Sequence, residues 1–236
     1  MSSEANDLLA ELHRLASDTE LAKLRGRLPL GEEAFGVRMR DLFAAARAHR
    51  DLPLAEVEAL LDHPAYEPRL AAFCVLDFKA RWKPTEAQRA ALWEVYLRRH
   101  DRITSWDMVD RAAPHVVGGY LAGRSLEPLH ELAGGGPLQR RTAITAPLYF
   151  VARGSDEDLV GAFAIAGRLA TDADPVVHNA VGIFVKHAGG RDPDALQRFL
   201  SSYAAAMPRP GLRLAVEKLP AEERSRYLAM GRGSAR

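Results

Sequence analysis

Trp106, Asp107 and Asp110, in the segment Ser105-Trp106-Asp107-Met108-Val109-Asp110, carry the clearest chemical signal in the chain. If this segment opens a helix, Trp106 and Asp110 stand four residues apart and share a face. An indole face attracts a cation. A carboxylate fixed beside it stabilises developing positive charge or orients a water. Both acids also fall in the first turns, where unpaired N–H groups and the helix dipole favour anions. A structural reading covers part of this: Asp107 caps the helix and Trp106 packs between helices. It covers Asp110 less well, because Val109, Ala112, Ala113 and Val116 supply a buried stripe without it.

Basic residues cluster elsewhere. Arg140 and Arg141 open one predicted helix, Lys79, Arg81 and Lys83 close another, and Lys186 and His187 lie near the end of a third. Arg98, Arg99, His100 and Arg102 precede the Trp-Asp segment. Each cluster alone is a solvated face. Aligned on one wall, they form a stripe that neutralises phosphates without reading sequence. Other chemistries lack support. Gly134-Gly135-Gly136 has no following Lys-Ser/Thr and no preceding strand, so it is not a phosphate loop. The eight histidines form no i, i+4 pair around a helical glutamate. His100, His115, His130, His178 and His187 are scattered and read as surface or packing residues. No serine sits in a nucleophile elbow. The single cysteine, Cys74, excludes an internal disulfide. It lies in Phe73-Cys74-Val75-Leu76 and reads as a buried thiol.

The elements that must position these residues are helices. Ala and Leu are abundant, β-branched runs are rare, and breaks fall at Pro, Gly and Asp clusters. The pattern predicts helices over 4–16, 19–26, 37–49, 54–62, 67–82, 86–100, 106–121, 125–133, 138–152, 156–169, 175–188, 193–206, 211–217 and 221–230. Pro84-Thr85-Glu86 and Ser155-Asp156-Glu157-Asp158 place capping oxygens and acids at helix starts. Similar helix starts recur at Ala71, Asp107, Ala143 and Ala180, about every 36 residues, as in paired-helix repeats. Such a pair cannot bury its apolar face alone, so successive pairs must stack. Stacking sets equivalent helices side by side and brings Trp106, Asp110, Arg141 and Asn179 toward one concave surface.

The chain of 236 residues is 47% hydrophobic and 27% charged, with a net charge of +1. These values fit a globular protein and exclude disorder as the default. Near-neutral charge does not mark a nucleic-acid binder, though a local field on one face remains compatible with one. No apolar run is long enough to span a bilayer, and the polar, acidic start lacks a signal-peptide pattern. The expectation is a cytoplasmic monomer: one domain over 1–230, then a flexible tail over 231–236.

At Ser105-Trp106-Asp107-Met108-Val109-Asp110 the chain resembles the AlkD family of bacterial DNA alkylation repair glycosylases. Leu138-Gln139-Arg140-Arg141-Thr142-Ala143-Ile144 is a second match, and Phe35-Gly36-Val37-Arg38 a weaker third. The matches keep their order across nearly the whole chain. The resemblance implies an all-α, right-handed solenoid of HEAT-like antiparallel helix pairs with a concave, basic DNA-binding face. It implies excision of cationic N3- and N7-alkylpurines from double-stranded DNA, with no cofactor and no metal. Trp106 would contact the lesion's sugar, Asp110 would stabilise the sugar cation and position water, and Arg141 would hold the backbone. Arg38, Arg140, Arg153, Lys186 and Asn179 would complete the DNA contacts. The chain also departs from the family. Ile183 stands where members often have a second tryptophan, so it would line the cleft without a π face. Arg38 replaces a polar residue. Leu148-Tyr149-Phe150-Val151 occupies the place of usual lysines, with Arg153 nearby. Two other readings stay open: a non-catalytic protein binding duplex or branched DNA, and a protein-interaction scaffold.

Overall fold

The capping signals mark real helix starts. A computed structural model of the chain describes residues 3–230. In it the Thr85 hydroxyl accepts from the Gln88 N–H at 3.3 Å, and the Gln88 side chain accepts from the Thr85 N–H at 2.8 Å. Ser155 and Asp158 form the same reciprocal pair at 3.1 and 2.9 Å. Each pair satisfies two N–H groups that a helix end would otherwise leave open. Asp174 and Asp192 cap two later helices, each followed by a proline that needs no donor there. The predicted tail over 231–236 lies outside the described residues.

Regular structure is helical throughout the described residues, apart from one isolated bridge between Glu33 and Ala65. The first segments are α1 (Ser3–Arg14), α2 (Asp18–Arg25), α3 (Met39–Ala48), α4 (Leu54–Leu61), α5 (Tyr66–Arg81) and α6 (Glu86–Arg98). Then come α7 (Trp106–Ala113), the short α8 (Gly119–Leu121), α9 (Glu127–Leu132), α10 (Pro137–Thr145) and α11 (Leu148–Arg153). The last are α12 (Asp156–Leu169), α13 (Pro175–Arg191), α14 (Pro193–Tyr203), α15 (Arg209–Ala215) and α16 (Ala221–Ala229). No described helix is long and apolar enough to cross a membrane.

The chain divides into two compact units, Met1–Tyr120 and Leu121–Arg236. In the first, α5 is central, and every residue from Tyr66 to Asp77 is buried. A helix buried on all sides loses the usual apolar stripe. It packs against α3, α4, α6 and α7, while α4 also contacts α1 and α6. In the second unit α13 is central and packs against α10, α11, α12, α14 and α15. The repeat spacing thus predicts the α5–α7 neighbours of one unit and the α10–α13 neighbours of the other.

Most predicted ends shift by one to three residues, and three departures have a clear local reason. The helix expected over 138–152 divides at Ala146–Pro147, since Pro147 has no N–H to continue the ladder. The helix expected over 106–121 contains a π-helical turn at Pro114–Gly118. Pro114 cannot donate to the carbonyl of Asp110, and the chain takes up the extra residue there. Gly189-Gly190, read as a break, instead continues α13 to Arg191. A Cβ at Gly189 would lie 2.5 Å from the Leu196 side chain, so the glycine permits close packing of α14.

Candidate functional site

The first turn of α7 is built around Asp107. One carboxylate oxygen accepts from the Ser105 hydroxyl at 2.5 Å and the Met108 N–H at 3.0 Å. The other accepts from the Tyr66 hydroxyl, also at 2.5 Å. Burial, reinforced by the Asp107 charge, pushes the Tyr66 phenol well above its ordinary value, so it keeps its proton and donates. Asp107 therefore locks the start of α7 onto the start of α5.

The same end of α5 holds two further segments. Arg69 pairs with Glu32 and donates to the Thr104 hydroxyl at 3.4 Å, and Thr104 donates to Glu32 at 3.2 Å. Burial, with the nearby Arg102 charge, lowers the Arg69 guanidinium from its ordinary value. Glu67, fully buried, accepts from the N–H groups of Phe35 at 2.8 Å, Gly36 at 2.7 Å and Val37 at 3.2 Å. Gly36 sits at φ +85°, and a Cβ there would lie 2.5 Å from the backbone of Ser17 and Leu21. Phe35-Gly36-Val37-Arg38 is thus a turn that needs glycine, fixed by a buried carboxylate, with Arg38 at the start of α3.

One turn further along α7, Arg111 reaches the fully buried Asp77 at 2.9 Å. Arg81 and the His115 ring nitrogen also reach Asp77, at 2.8 and 3.1 Å. The Arg111 guanidinium lies 4.6 Å from the rings of both Phe43 and Phe78. Desolvating Asp77 is offset by the Arg81 and Arg111 guanidinium groups, and Arg111 holds α7 to α5 a second time.

On this helix Trp106 is 44% exposed, and Asp110 lies half-buried one turn later on the same face. Met108, Val109, Ala112 and Ala113 are buried, so the apolar stripe forms without either residue. Asp107 holds three hydrogen bonds that build the helix start, and helical spacing sets Asp110 one turn from the exposed indole. Among the described residues no group of three His, Cys, Asp or Glu side chains is placed to hold a metal ion.

In the unit Leu121–Arg236, Arg141 is 4% exposed and donates to the Val176 carbonyl at 2.5 Å, tying α10 to α13. Arg140 grips Asp172 at 2.6 and 3.3 Å and donates to the Gly135 carbonyl at 2.8 Å. Asn179 and Ile183, four residues apart on α13, are half-buried. Lys186 pairs with Glu217 at 3.1 Å. Arg153 is exposed, 5.6 Å from the Tyr149 ring. In the first unit Arg38, 64% exposed at its side chain, pairs with Glu20 at 3.3 Å. Several expected DNA-binding cations thus have carboxylate or carbonyl partners within their own unit.

Sequence reasoning missed Tyr66, Glu67 and Asp77 as the groups that position α7 and the Phe35–Arg38 turn. A signal existed: Glu67, Arg69 and Asp77 interrupt an otherwise apolar stretch from Ala65 to Phe78. Apart from Arg81, four residues past Asp77, the partners lie tens of residues away, so the stretch alone does not name them.

A family model described as DNA alkylation repair enzyme matches residues 8–219. No curated protein matches the chain. The match spans most of the sequence, and the chain belongs to that family.

Proposed function

We propose that this member of the DNA alkylation repair enzyme family is a DNA glycosylase for cationic N3- and N7-alkylpurines in double-stranded DNA. The observation that carries the reading is the placement of Asp110, half-buried, one helical turn from the exposed Trp106 on the same face of α7, a helix whose start Asp107 anchors. A carboxylate beside an indole suits a positively charged, sugar-centred transition state.

The chemistry follows from the lesion. An alkylated purine already carries positive charge, so the glycosidic bond breaks with its electron pair passing to the base, which leaves neutral. Positive charge then develops on the deoxyribose. Asp110 stabilises that charge and orients a water, which adds to the sugar carbon and gives up a proton. Trp106 lies against the sugar. Exposed cations such as Arg38 and Arg153 contact the phosphates, while the buried Arg141 fixes α10 to α13.

The test is release of 7-methylguanine or 3-methyladenine from methylated duplex DNA. Asp110→Asn is expected to lower release by roughly 10²–10³-fold with duplex binding intact. Equal release by variant and wild type overturns the role of Asp110. A second reading, DNA binding without excision, is favoured by Ile183, which offers no π face on α13. It predicts salt-dependent duplex binding and no released base.

A further inference from the structure

The unit Met1–Tyr120 also contains a pocket at the opposite end of α5 from Tyr66 and Glu67. Leu54 of α4, Ala91 and Leu92 of α6, and Pro84 form its apolar lining. Trp82, just past α5, is 67% exposed at its edge. Lys83, at φ +50°, turns the chain there toward α6. The cavity measures about 260 Å³. That is below the roughly 300–1,000 Å³ of pockets for drug-sized ligands, so it suits one large side chain.

Two cations sit in this lining. Arg50 places its guanidinium 4.7 Å from the Trp82 ring, and its buried Nε has no hydrogen-bond partner. An unmade bond of this kind is costly. Lys79 is half-buried, and burial lowers its ammonium from the ordinary value, an effect that Asp51 counters only in part. Asp51, also in the lining, pairs with Arg50 at 3.9 Å, but its side chain is 89% exposed, so water weakens that pairing. The pocket therefore joins an apolar floor to two incompletely compensated positive charges.

We infer that this pocket binds the C-terminal residue of a peptide chain when that residue is apolar, with the side chain between α4 and α6 and the terminal carboxylate on Arg50 and Lys79. A chain end presents both groups from one carbon, which matches the closeness of apolar and cationic lining. A free amino acid would bring an ammonium group that the two cations repel. In a peptide that nitrogen is an uncharged amide. The desolvation already incurred at Lys79 is offset by the incoming carboxylate.

The probe is a fluorescein-labelled glycine- and serine-rich peptide ending in phenylalanine, titrated with the full chain and read by anisotropy. Saturable binding with Kd below about 1 mM is expected. Amidation of the terminus, Lys79→Gln and Arg50→Gln are each expected to weaken it about tenfold or more. Unlabelled duplex DNA is expected to leave the bound peptide in place. The inference is overturned by absence of saturable binding at about 1 mM protein. It is also overturned by equal binding of the amidated peptide, which needs no variant to fold, or by displacement with duplex DNA. The last result would make the pocket part of a nucleic-acid surface.

Discussion

In the unit Met1–Tyr120 the central helix α5 is fixed to its neighbours by directional polar bonds, from Tyr66, Glu67, Arg69 and Asp77. In the unit Leu121–Arg236 the central helix α13 lies backbone against backbone on α15. A Cβ at Gly211 would fall 2.5 Å from the His178 carbonyl oxygen, and one at Gly182 would strike the Gly211 carbonyl. The second unit has polar ties too, as Arg141 shows, but its tightest joint depends on missing side chains. Close packing sets separation, while hydrogen bonds and ion pairs also set rotation and register. The difference places the stricter orientation on α7, which carries the proposed carboxylate.

This comparison breaks most sharply at Asp77. Asp77→Ala removes a fully buried carboxylate that Arg111 and Arg81 both reach, leaves the half-buried Arg111 without it, and is expected to cost about 3 kcal/mol in urea unfolding. Hydrogen exchange should rise first in α5 and α7. In the other unit, Gly182→Ala forces α13 and α15 apart and is expected to cost about 2 kcal/mol, with exchange rising in those two helices. All three tryptophans, Trp82, Trp93 and Trp106, lie in the first unit, so intrinsic fluorescence reports that unit directly. A loss of similar size and location for both variants would erase the distinction.

A smaller effect sharpens the point about rotation. Tyr66→Phe removes one of the three donors to Asp107 and is expected to cost about 1.5 kcal/mol. On the proposed function it also lowers alkylpurine release beyond the loss of folded protein, because α7 is less firmly oriented. Single-turnover release at full folding separates the two effects, and an unchanged rate would make the bond purely structural.

The smallest effect is in pH. Burial lowers His63 and His100 in the first unit and His187 in the second below the ordinary histidine value of 6.5. The unfolded chain then binds protons more readily than the folded one, so stability is complete above that value and declines as pH falls through it. His100, 9% exposed and edge-on to Tyr96, should contribute most. Urea midpoints of His100→Gln and wild type should converge as pH falls below about 6.5. Parallel curves would remove His100 from this account.

Much of the helical pattern was legible because it rests on local physics. Thr85 and Ser155 mark starts through hydroxyls that reach their own first turns. The shared face of Trp106 and Asp110 follows from helical spacing alone. Gly189-Gly190 misled because a glycine pair signals both a break and a close approach, and the presence of Leu196 decides which. The roles of the two acids on α7 were half legible. Spacing marked both, but the donor from Tyr66 lies 41 residues away.

The sequence by itself therefore determined the helices, their caps, the faces they present and the family to which the chain belongs. These depend on interactions within a few residues or on motifs kept in order. The tertiary structure decided that Asp107 anchors the helix start and that the Trp106 indole stays exposed. It also decided which cations are already paired, and where Arg50 and Lys79 meet an apolar pocket. Those outcomes depend on partners distant in the chain, whose burial sets the cost of leaving a charge or a donor unsatisfied.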